Sequence, residues 1–186
     1  MSAGPAAPRP VPPVLAQGLA LLVVGYNPGR RSGATGHHFA GPGNRFWRLL
    51  AASGWTPAEL RPEQDRELPR YGLGIVNLVD RVTPGSADLS WSEMVEGGRR
   101  VRALAERWRP RRLACLGKDV ARAVLGRARA APLEWSPEAG QLDCSWGRLP
   151  VACLPNPSAR STVPPELQLA LWRELAAAAG AGGEAR

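Results

Sequence analysis

Four apolar runs constrain this chain more than any other feature: ALLVVGY (20–26), GIVNLV (74–79), RLACLG (112–117) and LPVACLP (149–155). None shows the strict polar–apolar alternation of a strand with one wet face, so each reads as a strand buried on both faces. Helical signals fill the intervals. NRFWRLLAASG (44–54) is capped by Asn44 and ended by Gly54. A second short helix is expected over 57–69. In the segment 90–110, Ser90 and Glu93 have capping-box spacing, Met94, Val101, Leu104, Ala105 and Trp108 recur at helical spacing, and Pro110 stops the run. A short helix follows over 118–126. LDCSW (142–146) and LPVACLP flank Gly147-Arg148 and form either a hairpin or two separate strands. The last helix starts near Pro164-Pro165, with Leu167, Leu171 and Leu175 as its stripe. The order βααβαβαββα predicts an α/β fold of three layers, α/β/α, with a mainly parallel central sheet.

The 186 residues suffice for one domain with a substantial core. The Pro/Ala-rich segment 1–13 is expected to be a disordered tail, 14–179 a single domain, and 180–186 a flexible end. The 24 basic against 16 acidic residues leave a net charge of +8, which favours a polyanionic partner, nucleic acid first. Lys118 is the only lysine, so the basic residues are almost all Arg. Cys115, Cys144 and Cys153 are odd in number and lack a CxxC spacing, which argues against a disulfide framework or a zinc site. Three thiols are also one short of the usual iron–sulfur set. No apolar stretch approaches membrane-spanning length. A cytoplasmic protein is expected.

In a parallel sheet, ligands bind beyond the carboxyl ends of the strands. Three segments rich in Gly, Pro, Ser, Asn and Arg should meet there: 25–43, 80–90 and 155–163. GYNPG (25–29) alone is a common turn and is neither a P-loop nor a GxGxxG fingerprint. The combination is more specific. GYNPGRRSGATGHHFAGPGNRFW, NLVDRVTPGSADLS and LPNPSARS occur in order at the ends of three strands. Together they resemble the mismatch-specific uracil and thymine DNA glycosylases of the uracil-DNA glycosylase superfamily, over roughly residues 20–178. GHHFAGPGNRFW and TPGSADLS are similar to the thymine-specific branch, and LPNPS to the bacterial mismatch-uracil branch. EGGRRVRALAERWRP and the LGK that follows also fit.

The resemblance implies a uracil-DNA glycosylase-like fold and a role for each matching position. Asn27 would hold the attacking water through its side-chain amide, which orients water but cannot take its proton in the ground state. Tyr26 would act through its backbone, and Gly29 would let main-chain groups approach the base. Phe39 would stack on the extruded pyrimidine. His38 would line the pocket, Ser32 would set the room beside the pyrimidine C5, and Asn77 would face the base. The Ser32 hydroxyl, less hospitable to a methyl than alanine, implies uracil over thymine. Asp80 is a reserve candidate for water activation, although an ion pair with Arg81 or a cap is the favoured reading. Arg160 takes the position that wedges into the helix, within a DNA-binding loop of Asn156, Ser158, Ala159, Arg160 and Ser161. Ser158 and the start of the last helix could receive a backbone phosphate. Ser161 and Thr162 depart from the bacterial Ser-Arg pattern.

The reading that follows is a monofunctional DNA glycosylase hydrolysing the N-glycosidic bond of uracil, and of thymine or adducted cytosine, opposite guanine in duplex DNA. The pocket motifs contain no lysine, which disfavours Schiff-base chemistry. No cofactor is implied. His37 and His38 are adjacent and lack a third ligand, so no metal is implied either. The partner is double-stranded DNA bearing uracil or a mismatch, with no membrane, and the protein is a monomer. It would be nucleoid-associated in a bacterium and nuclear in a eukaryote. Two alternatives remain open at this point: a non-catalytic mismatch or single-strand binder, and a hydrolase of free nucleosides.

Overall fold

The computed structural model describes residues 9–181. Five strands form one sheet: β1 (Leu21–Gly25), β2 (Leu73–Asn77), β3 (Leu113–Leu116), β4 (Ser136–Cys144) and β5 (Gly147–Leu154). Their order across the sheet is β2-β1-β3-β5-β4. Every neighbouring pair is parallel except β4–β5. LDCSW and LPVACLP therefore make a hairpin, with Ser145 and Trp146 as its turn and β4 on the edge.

Side chains alternate between two cores. Leu22, Val24, Leu113, Cys115, Val151 and Cys153 point to one face, where α3 (Trp91–Trp108) and α4 (Lys118–Val124) cover them. Leu21, Val23, Ala114, Leu116, Ala152 and Leu154 point to the other, under α2 (Phe46–Ala52) and α5 (Pro165–Ala179). This is the three-layer α/β/α arrangement expected from unbroken apolar runs. Cys115 and Cys153 are register partners in the core, free and fully buried. Burial pushes the Cys153 thiol up to about 12. Helix α3 approaches its neighbours through two glycines: a Cβ on Gly97 would collide with the Leu78 carbonyl, and one on Gly98 with that of Ala123. Ser90 and Glu93 cap this helix reciprocally. Among the described residues no helix is long and apolar enough to cross a membrane.

Several local expectations are corrected. Residues 9–13 are not a disordered tail. Val11 is only 2 % exposed, Arg9 N–H donates to Gly33 O (3.0 Å), and Val14 exchanges backbone bonds with Ile75. Proline carbonyls still accept hydrogen bonds, and the ring's fixed φ lowers the entropy lost on ordering. Residues 1–8 and 182–186 lie outside the described residues. The helix expected over 57–69 is a 3₁₀ segment, Pro62–Tyr71, whose two prolines lack the N–H that an α-helix would use. Helix α1 (Arg30–Thr35) occupies part of the segment read as loop. On α5, Leu167 is 42 % exposed. The buried stripe keeps Leu171 and Leu175 and adds Gln168, Trp172 and Ala176, leaving Leu167 outside it.

Candidate active site

The chain turns from β1 to β2 on one side and reaches β3 on the other, so the strand order reverses beside the carboxyl end of β1. A cleft of about 910 Å³ opens there, lined by residues 25–32, 38, 39, 41, 42, 44, 83–86, 116–119, 156 and 158–163 together with Asn77 and Trp135. All three expected segments contribute to it.

Asn27 lies two residues beyond β1 and its orientation is determined. Its Nδ2 donates to Arg81 O and to Thr83 Oγ1, each at 2.7 Å, with Pro28 O at 3.4 Å. A carbonyl can only accept, so the nitrogen must be the atom facing Arg81. Thr83 spends its own proton on Gly85 O (2.7 Å) and offers Asn27 a lone pair. Oδ1 is left as an acceptor with no donor among the described residues, on a side chain that lines the cleft. The support extends outward. Arg81 is clamped by Glu93 through Nε (2.9 Å) and Nη2 (3.1 Å). The Arg81 guanidinium, followed by the Ser90 bonds, holds the Glu93 carboxyl down to about 2.

A further part of the cleft wall is aromatic and polar. Phe39 stacks on Phe46 with ring centroids 4.1 Å apart. Its φ of 51° is a conformation that side chains seldom adopt, a strain of about 1–3 kcal/mol that places successive side chains of the loop on different faces. Gly25 makes room for it: a Cβ there would sit 3.3 Å from Phe39 Cζ and 3.1 Å from Asn77 Oδ1. Asn77, at the end of β2, is 5 % exposed, lines the cleft, and leaves its buried Nδ2 without a partner. Ser32 on α1 also lines the cleft, and its Oγ accepts from Ala40 N–H (3.1 Å), which ties α1 to the Phe39 loop. His38 is buried. Its Nε2 donates to Pro12 O (3.0 Å), so the proton sits on Nε2 of the neutral ring. Burial depresses its pKa, against the raising effects of Pro12 and Asp65. His37 turns instead to Asp65 (3.3 Å). Tyr26 accepts from Val79 N–H through its carbonyl, while its phenol is pushed up to about 12 by burial and then by Asp119. Gly29 is exposed at the start of α1. No group of three His, Cys, Asp or Glu side chains able to hold a metal occurs among the described residues.

Asp80 is not brought to the cleft. Its carboxylate pairs with Arg100, whose Nη2 also caps Asn77 O (2.7 Å). The ion pair favoured from sequence thus exists, but with Arg100 in place of Arg81. Two cleft residues, in TPGSADLS and LGK, have roles that the motifs themselves do not announce. Thr83, 56 positions from Asn27, fixes the amide. Lys118 lines the cleft, although the three loop motifs contain no lysine, with Nζ 5.0 Å above the Trp135 ring and 3.5 Å from Glu134. The signal for it was available: Lys118 directly follows Gly117 at the carboxyl end of β3.

The segment 156–161 is a prefolded turn. Asn156 Oδ1 accepts from Ser158 N–H (2.9 Å), Ser158 Oγ from Arg160 N–H (3.3 Å), and Ser158 O from Ser161 N–H (2.9 Å). Ser161 Oγ receives Gln168 (3.4 Å). Arg45 N–H holds Pro157 O (2.9 Å), and Ala159 packs against Gly43. Ala159 and Arg160 form the exposed tip, and Arg160 Nη1 reaches across to Gly85. Glu166 lies in the first turn of α5 and puts a negative charge close to where a backbone phosphate was expected.

The sequence model of the Uracil DNA glycosylase superfamily matches residues 12–176, well over half of the chain. The chain belongs to that superfamily. The matched range spans every element of the sheet and all three cleft segments. Membership makes this protein a DNA glycosylase of the hydrolase class, acting on uracil in DNA in base excision repair, and the sheet carries the superfamily's α/β fold. DNA is accordingly the partner, in keeping with the net charge of +8.

Proposed function

We propose that this uracil-DNA glycosylase is monofunctional, flips uracil out of duplex DNA opposite guanine, and hydrolyses its glycosidic bond with water aimed by Asn27. The observation that carries this reading is the amide pinned by Arg81 O and Thr83 Oγ1, which leaves Oδ1 as a fixed acceptor in the cleft. Water donating to Oδ1 presents its lone pair to the sugar C1′. The C1′–N1 bond breaks with its electron pair going to the base, the C1′–O bond forms, and the surplus proton passes to solvent. The orphaned Asn77 Nδ2 supplies a donor to the departing anion from a site with little water, where such a bond is strongest. Phe39 offers the stacking face. With no carboxylate hydrogen-bonded to Asn27 among the described residues, positioning and electrostatics supply most of the rate gain and turnover is slow.

Ser32 places a hydroxyl on the pocket wall, and we assign the protein a preference for uracil over thymine on that ground. Arg160 at the exposed tip suits a wedge that fills the gap in the stack. Lys118 does not alter the monofunctional reading: Glu134 and the Trp135 ring both attract it as a cation, which has no lone pair to attack an aldehyde. We place the protein as a monomer in the compartment that holds the DNA: the cytoplasm, at the nucleoid, of a bacterium, or the nucleus of a eukaryote.

The pairing of Asp80 with Arg100 favours one second reading, a mismatch-binding protein without turnover. Alkali cleavage of abasic sites after incubation with U·G, T·G, U·A and single-stranded uracil substrates separates the two. Cleavage greatest at U·G supports the glycosylase. Shifted but uncleaved DNA supports the binder.

A further inference from the structure

Beside the main cleft lies a second, open hollow of about 570 Å³, lined by Pro10, Arg30, Arg81, Val82, Thr83 and Pro84. Arg30, Thr83 and Pro84 line both, so the two hollows adjoin across one saddle. Their charges are unequally committed. Arg81 is neutralised by its two-point pairing with Glu93. Arg30 is exposed and makes no ion pair or side-chain hydrogen bond with any described residue. The remaining walls are proline and valine, and no carboxylate lines the hollow.

We propose that this hollow is the channel by which the DNA strand carrying the flipped nucleotide leaves the cleft, with Arg30 receiving the phosphate of a neighbouring nucleotide. The proposal rests on the glycosylase reading above. An extruded nucleotide stays bonded to both neighbours, so its strand must pass the cleft mouth. A trough continuous with that mouth, free of negative charge and holding one uncommitted guanidinium, suits a chain with one charge per nucleotide. The apolar faces of Pro10, Val82 and Pro84 suit the deoxyribose between phosphates. Because Arg81 is already paired, the channel accounts for one phosphate contact.

The test uses a strand containing one uracil, lengthened one nucleotide at a time on the 5′ or the 3′ side and annealed to a fixed complement that places guanine opposite the uracil, with excision followed at each length. It is paired with binding of a duplex containing a tetrahydrofuran abasic analogue at several salt concentrations. Wild type should show a fall in KM on extending one side only. Arg30→Ala should lose that fall, and its plot of log affinity against log salt should be shallower by about one unit. Arg30→Lys should keep most of the salt slope, and Arg173→Ala, on α5, should match wild type. Equal length dependence and equal slope in wild type and Arg30→Ala overturn the channel. Should wild type excise no uracil at all, the glycosylase reading falls, and the salt slope on the abasic duplex still decides whether Arg30 meets a phosphate.

Discussion

Thr83 gives the sharpest test of how Asn27 is held. Thr83→Val keeps the shape of a side chain that is only 2 % exposed and removes its hydroxyl. Two bonds of 2.7 Å disappear: the one received from Asn27 Nδ2 and the one donated to Gly85 O. Each is worth about 1 kcal/mol net, so folding should lose about 2 kcal/mol. For a domain of this size that lowers Tm by about 4–8 °C. Asn27 keeps Arg81 O but loses the second anchor that stops the amide from rotating. If the roughly 1.4 kcal/mol of lost positioning appears in the transition state, the chemical step slows about tenfold. Single-turnover excision of uracil from a U·G duplex measures this below the melting range, alongside KM. The expected pattern is a lower rate, a nearly unchanged KM, and recovery in Thr83→Ser, which restores the hydroxyl. A Thr83→Val protein that shows the Tm loss but excises at the wild-type rate would refute the anchoring argument.

Two further outcomes follow from packing and charge. Gly97→Ala drives a methyl into the Leu78 carbonyl, which no side-chain rotation relieves. Overpacking against the gain in helix propensity should leave about 2 kcal/mol of destabilisation, read by thermal or urea melts, and an unchanged Tm would contradict the close approach of α3. Burial depresses the His38 pKa in the folded protein, so the unfolded chain binds the proton more readily. The contribution is intact above about pH 6.5 and is lost as pH falls through the folded value. Tm measured from pH 7.5 downwards should therefore decline less steeply in His38→Gln than in wild type, and identical slopes would exclude His38 as the group responsible.

The strands and the site's location were legible because they depend on patterns local to each segment. Runs such as LLVV and LACL announce double-faced burial, and the parallel sheet then gathers the ends that carry Asn27, Asn77 and the 156–161 turn. What escaped depends on contacts distant in sequence or on weak local signals. Nothing near Asn27 names Thr83 as its partner, and Asp80 could not be separated from Arg81 before the fold placed Arg100 beside it. Helix α1, RRSGAT, has no apolar periodicity and no side-chain cap, so it read as loop. Residues 9–13 read as disordered by composition, yet Pro12 O and Pro13 O serve as acceptors for His38 and Arg66, which bind the segment to the pocket wall. The leucines of α5 suggested a stripe including Leu167, but tertiary packing selects Gln168 and Trp172 in its place.

The most direct measurement is single-turnover excision by Asn27→Ala on a U·G duplex, with binding to the abasic product duplex measured on the same preparation. Loss of the group that aims water should reduce excision by about 100-fold or more while product binding persists. Excision close to the wild-type rate would contradict the claim that this amide directs the attacking water.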